Sequence, residues 1–194
     1  MPKVVDHDAY RSKLIRDSFQ VVAKVGYGSL SMKQLASGIG VSTGSIYNYF
    51  KGKEDWFVSL VTHYSGEVFE MLTREVPADA PLPKKAALLV EHIDRHKELY
   101  ANMISVASDF VRMPSSEKQE GALELTFAAD QLYAYFAALF DTDQATGRAL
   151  LAHIIGVVMT NRLDPRGIDV NAQLPYMRLL LEAAAPVAEK ESQT

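Results

Sequence analysis

Five residues between positions 43 and 49, namely Thr43, Gly44, Ser45, Asn48 and Tyr49, would share one face of a short helix. They are small or hydrogen-bonding, and that face lacks the Glu/Lys coating of a merely solvated helix. Hydroxyl and amide groups so placed can read donors and acceptors on base edges, because an α-helix fits the major groove of B-DNA. Just beyond, Lys51 and Lys53 flank Gly52 where another helix begins. An ammonium beside the free N–H groups of a helix N-terminus favours a phosphate.

Other chemistries are weaker. Gly40-Val41-Ser42-Thr43-Gly44 fits the G-x-S-x-G pattern of a hydrolase nucleophile elbow, but that elbow needs a strand before the serine and here a helix precedes it. Gly38-Ile39-Gly40 begins a dinucleotide fingerprint, yet Thr43 occupies the place of the third glycine. His92 and His96 lie one helical turn apart and could share a metal. No H-E-x-x-H is present, and no histidine completes the Glu-x-x-His of di-iron bundles, so no metal site and no cofactor are expected.

The elements that would position the polar face are legible. Ser31 can cap a helix whose Gln34 reaches back, an S-x-x-Q capping box, and Met32, Leu35, Ala36 and Ile39 give it an apolar stripe. Gly38 and Gly40 end it, with Val41 as the apolar contact beyond the turn. Ser42 can cap a second helix, expected over 43–50, which buries Ile46 and Phe50. Upstream, a helix from about Asp8 to Gly26 carries Leu14, Ile15, Phe19 and Val22 as a supporting face.

The run Leu35-Ala36-x-x-x-Gly40-Val41-Ser42-x-Gly44-x-Ile46-Tyr47-x-x-Phe50-x-x-Lys53-Glu54 closely resembles the tetracycline-repressor (TetR) family of bacterial transcription regulators. Ile39 stands where that family usually has alanine, and Tyr49 where histidine is frequent. The resemblance implies that Tyr47 and Lys53 contact phosphates while Thr43, Gly44, Ser45, Asn48 and Tyr49 lie over the groove; Lys33 and Ser42 complete the expected DNA-contact set. It also implies a homodimer on an operator of double-stranded DNA and a small-molecule cavity among the later helices.

Charge distribution agrees with the polar face. The chain of 194 residues has a formal net charge of −4, but residues 1–53 hold eight Lys/Arg against three acids, and the remainder is strongly acidic. A basic head on an acidic body suits a protein that touches a duplex with its head alone. There is no cysteine, so disulfides and thiol catalysis are excluded. No signal peptide is visible, and the longest apolar stretch, 149–159, is too short to span a bilayer, so a cytoplasmic location without membrane contact is expected.

The expected fold is all-α: a three-helix helix-turn-helix DNA-binding domain over 1–53, a connecting helix over 54–75, and a helical ligand-binding and dimerisation domain over 76–194. Lys3 in the leading arm is a candidate phosphate contact. In the body, helices are expected over 84–96, 97–112, 116–140, 143–163 and 171–189, followed by a disordered tail. The fourth is apolar almost all round between Ala149 and Met159, so it needs cover on more than one side. A partner subunit is the simplest second cover, with Gly156 allowing close approach. Leu150, Ile154, Val157, Val158, Leu174, Met177 and Leu181 are the expected dimer contacts.

Aromatic and methionine residues enrich the body and suit a mostly apolar cavity with a few polar groups. His92, His96, Tyr100, Met103, Phe127 and Asn161 are its candidate lining. The expected activity is that of a ligand-responsive regulator, a repressor released from a pseudo-palindromic operator by a small, largely apolar effector. The rivals are an adaptor that keeps the motif but binds protein, and a helical-bundle metal-binding enzyme.

Overall fold

The structure is a computed structural model describing residues 6–113, 119–164 and 166–184. The expectations for Lys3, for a helix start at Ser116 and for the tail beyond residue 184 lie outside the described residues. Those residues form eight α-helices and no strand: α1 (His7–Val25), α2 (Met32–Gly38), α3 (Thr43–Tyr47), α4 (Lys53–Glu75), α5 (Leu82–Val111), α6 (Gln119–Phe140), α7 (Gln144–Leu163) and α8 (Leu174–Ala184). The all-α expectation holds.

Three elements differ from the sequence reading, the first being α3, expected over 43–50, which ends at Tyr47. The helices expected over 84–96 and 97–112 are one continuous helix, α5, of 30 residues. Nothing in Arg95-His96-Lys97-Glu98 breaks a helix, since there is no proline or glycine there and every residue is a tolerable helix former. The last helix begins with a 3-10 turn over Asn171–Gln173 before α8 proper.

The chain divides into two compact units, one of residues up to Val68 with Asn102–Ala128, the other of Phe69–Ala101 with Ala129 onward. The first holds α1 to α3. Asp6 caps α1 by accepting from the N–H groups of Asp8 and Ala9, each at 3.1 Å. Leu14, Ile15, Phe19 and Val22 turn inward and are buried, as are Leu35 and Ala36 of α2 and Ile46 of α3. Burying each such side chain is worth about 1.5–3 kcal/mol. Within the same unit Phe57 of α4 stacks on Phe110 of α5 at 4.0 Å, and Tyr27 meets both rings edge-on. Gly121 lets α6 lie against the Phe110 ring, since a Cβ there would stand 2.5 Å from it.

In the second unit the chain turns from α6 to α7 through Asp141, whose φ is 51°, and Asp143 caps α7 by accepting from the Thr146 N–H at 2.7 Å. The Lys85 ammonium donates to the Leu139 carbonyl near the end of α6, satisfying a free helix-end group. Leu89, Val90, Ile93, Leu150, Ile154, Val158 and Met177 form its core.

This packing takes in the residues expected at the dimer contact. Leu150, Ile154, Val157, Val158, Met177 and Leu181 are all buried within the protomer, and Leu174 is half-buried. A periodic apolar stripe covers the chain's own core before it covers a partner. The apolar side chains left in solvent are Ile155 and Leu163 of α7 and Tyr176 and Leu179 of α8, with Gly156 beside Ile155.

Candidate functional site

The polar face of α3 is held by a tight corner. Ser31 and Gln34 form the reciprocal capping box, with the Gln34 N–H on the Ser31 hydroxyl at 3.2 Å and the Ser31 N–H on Gln34 Oε1 at 2.9 Å. At the other end of α2, Gly40 takes a φ of 74°, its N–H reaches the Ser37 carbonyl and the Val41 N–H reaches the Ala36 carbonyl at 2.9 Å. These are the paired bonds of a Schellman turn, which closes helix-end carbonyls and needs a left-handed residue. Two residues later Ser42 caps α3, accepting from the Ser45 N–H at 3.0 Å. The angle between α2 and α3 therefore rests on three short-range devices and the burial of Ile46 beneath α3.

The nine expected DNA-contact residues separate into two groups. Lys33, Ser42, Thr43, Gly44, Tyr47 and Asn48 are exposed. Among the described residues no side-chain hydrogen bond occupies Thr43, Tyr47 or Asn48. The other three are engaged within the protein. The Ser45 hydroxyl lies 2.9 Å from that of Ser42. The Tyr49 ring packs on His7 at 4.4 Å and Tyr10 at 5.2 Å, so α1 sets its direction. Lys53 donates to the Gly28 carbonyl at 3.4 Å and lies over the Tyr27 ring.

Arg11 is a positioning residue that sequence reasoning missed. Its guanidinium donates to the Tyr49 carbonyl and to the Ser59 hydroxyl, stands 3.9 Å from Asp55 and covers the Phe50 ring. It thereby joins α1, the end of α3 and the first turns of α4. Asp55 also accepts from the Lys51 N–H at 2.7 Å, so a carboxylate of the chain itself already serves the α4 N-terminus where a phosphate was expected. A basic residue on the outward side of a helix reads as solvated in the sequence; only the fold brings these partners to it.

The six expected effector-lining residues divide between the two units. Met103 and Phe127 belong to the first unit, and Phe127 is 57% exposed. Asn161 donates to the Ile168 carbonyl at 2.9 Å and so secures the loop after α7. His92, His96 and Tyr100 do converge, around Glu75 at the end of α4. His92 Nδ1 stands 2.9 Å from Glu75 Oε2, His92 Nε2 stands 2.5 Å from the Tyr100 hydroxyl, and His96 Nε2 lies 3.3 Å from Glu75 Oε1. Arg95 adds a bond to Glu75 Oε2 at 2.7 Å.

Burial pushes the Glu75 carboxyl up, but hydrogen bonds from the two histidines outweigh it and hold it at about 2. Burial pulls His92 down, against the bond to Glu75, and keeps the ring neutral at neutral pH. Burial first, and the Glu75 charge second, push the Tyr100 phenol far up. A carboxylate can only accept, so His92 carries its proton on Nδ1 and donates to Glu75, while Nε2 accepts from Tyr100. Glu75 was absent from the sequence reading because it precedes His92 by seventeen residues and a proline-rich break.

A small cavity also lies in the second unit, about 10 Å³, lined by Val90, Ile93, His153, Val157, Gln173 and Met177 among others. It has room for about one water molecule. His153 Nε2 is buried without a hydrogen-bond partner among the described residues.

Comparison with known proteins agrees with the geometry of α2 and α3. Residues 14–60 match the family described as bacterial regulatory proteins, tetR family. The fatty acid metabolism regulator protein of Bacillus subtilis (strain 168) is 33% identical over 89 residues, which are 46% of this chain and 44% of that one. The HTH-type transcriptional regulator BetI of Vibrio campbellii is 28% identical over 184 residues, 87% of this chain and 88% of that protein. Among solved structures, that of the transcriptional regulator FadR from Bacillus subtilis in complex with stearoyl-CoA superposes with a TM-score of 0.66 at 23% identity, covering 87% of this chain and 96% of that one. Among the described residues no helix is long and apolar enough to cross a membrane. Residues 14–60 thus carry the signature of the tetR family of bacterial regulatory proteins, and over most of its length the chain is similar to an HTH-type transcriptional regulator.

Proposed function

We propose that the chain is a cytoplasmic repressor that binds a pseudo-palindromic operator as a homodimer and is released by a small, largely apolar effector. The observation that carries the reading is the face of α3, where Thr43, Gly44, Tyr47 and Asn48 are exposed together above a buried Ile46. Phosphate contacts from Tyr47, Lys33 and Lys53 would fix register, and Thr43, Gly44 and Asn48 would read base edges. Tyr49 acts on this reading through α1, and Ser42 and Ser45 through the cap. Two such helices related by a two-fold axis engage half-sites about 34–36 Å apart.

The exposed apolar residues of α7 and α8 support the dimer, with Ile155, Leu163, Tyr176 and Leu179 in place of the buried set. The acidic body supports an effector that is not multiply phosphorylated. An effector acts by its differential affinity for two states, and a switch from 1:99 to 99:1 needs about 5.5 kcal/mol.

The test is selection of genomic DNA fragments by the purified protein at moderate salt, followed by sequencing. An enriched inverted repeat is the expected result. Salt-sensitive retention with no enriched motif would sink the operator reading.

A further inference from the structure

Two histidines one turn apart on α5 lacked a third ligand in the sequence, and the fold supplies one. Glu75, the last residue of α4, presents one carboxylate oxygen to His92 and the other to His96. The ligand atoms of Glu75, His92 and His96 all lie within 4.8 Å of one another. We propose that Glu75, His92 and His96 form a binding site for a borderline divalent transition ion, zinc being the type case, which clips the last turn of α4 to α5. The proposal goes beyond the operator-binding reading and does not depend on it.

The distances suit such an ion. Metal–ligand bonds of about 2.0–2.2 Å in a tetrahedral arrangement put neighbouring donor atoms about 3.3 Å apart. The two carboxylate-to-imidazole separations are 2.9 and 3.3 Å, one to each oxygen, and with one donor atom from each residue the three lie within 4.8 Å of one another, so an ion has to draw them together by a modest side-chain shift. Two imidazoles and one carboxylate form a donor set that suits zinc, nickel, cobalt or iron better than calcium or magnesium, which prefer oxygen alone. Three protein ligands leave a position for water or for an oxygen of an incoming molecule.

The surroundings supply an outer shell. With an ion on Nδ1, the His92 proton sits on Nε2 and is donated to the Tyr100 hydroxyl, so the existing contact reverses direction without being lost. Arg95 and Arg74 also reach Glu75, at 2.7 and 3.6 Å, and their charge opposes a cation. Both are mostly in solvent, with side chains 59% and 70% exposed, and can swing out into water when the ion enters. His92, by contrast, has a fully buried side chain and cannot leave.

Tag-free protein stripped with a chelator should be titrated with Zn²⁺ by calorimetry and with Co²⁺ by visible absorption. The expected result is one ion per chain, with Co²⁺ d–d bands of a nitrogen/oxygen site. His96→Gln and Glu75→Gln should each weaken binding by on the order of 100-fold, and Tyr100→Phe by roughly 10-fold as an outer-shell partner. His63→Gln should leave binding unchanged. Wild-type protein should also melt at a higher temperature with saturating Zn²⁺, and His96→Gln should not. No saturable binding, or binding equal in the wild type and in His96→Gln, would overturn the proposal. Circular dichroism establishes that each variant is folded; if Glu75→Gln is not, His96→Gln at the half-buried position decides.

Discussion

The Lys53 ammonium stands 4.3 Å from the centre of the Tyr27 ring and 3.4 Å from the Gly28 carbonyl. The first residue of α4 is thus laid back over the loop that leads into α2, and its charge is held at one place instead of sweeping through solvent. A cation so fixed suits a single phosphate of a bound duplex. Lys53→Ala should weaken all DNA sites alike and lower the slope of log affinity against log salt by about one unit. Asn48→Ala should instead change which base is preferred at one position. Binding titrations across a salt series check both, and an unchanged slope for Lys53→Ala would remove the phosphate assignment.

Trp56 is the chain's single tryptophan and donates from Nε1 to the buried Ser18 hydroxyl at 2.9 Å. Trp56→Phe keeps most of the apolar bulk but removes that donor and leaves a gap. The expected loss is about 1–3 kcal/mol. Urea unfolding followed by circular dichroism measures it.

Gly147 and Gly156 lie on the same helix with opposite surroundings. A Cβ on Gly147 would stand 2.3 Å from the Tyr133 carbonyl oxygen, whereas one on Gly156 meets nothing within 4 Å. Gly147→Ala should force α6 and α7 apart at a cost of about 1–3 kcal/mol. Gly156→Ala should leave the protomer's stability unchanged or slightly raised, since alanine is the better helix former. Thermal melts of the two variants separate these outcomes.

If Ile155 and Leu179 face a partner subunit, a charge at either position should break the assembly and spare the fold. Ile155→Glu and Leu179→Glu are expected to sediment as monomers with wild-type helicity. Ile154→Glu, at a position 7% exposed, should unfold the protomer. Sedimentation velocity with circular dichroism on each variant checks the pairing; a folded dimer of Ile155→Glu would place the interface elsewhere.

Burial pulls the His153 imidazole below its ordinary value. The unfolded chain therefore binds a proton more readily than the folded one, so stability is present above about pH 6.5 and is lost as pH falls through the folded value. His153→Leu removes that linkage and fills the apolar wall it faces. Its melting temperature relative to wild type should be more favourable at pH 5 than at pH 8. An equal difference at the two values would show that His153 does not titrate on unfolding.

The sequence by itself determined the helix-turn-helix, because each of its devices is local. Ser31 with Gln34, the left-handed Gly40 and the Ser42 cap act across three to five residues, so spacing alone exposes them. The same is true of the all-α class and of the basic head. A continuous α5 was readable in principle, since no breaker interrupts 95–98, but apolar periodicity is a poor guide to where one helix ends and the next begins.

Tertiary structure alone decided which apolar stripe faces inward, because a helix that is hydrophobic on several sides does not say which side its own protomer covers. It turned Leu150, Ile154 and Met177 into the core and left Ile155 and Leu179 outside. It also brought Glu75 to His92 and His96 and Arg11 to Tyr49, Asp55 and Ser59. Those groups are seventeen to forty-eight residues apart in the chain. Their meeting depends on how whole helices pack, and no local spacing encodes it.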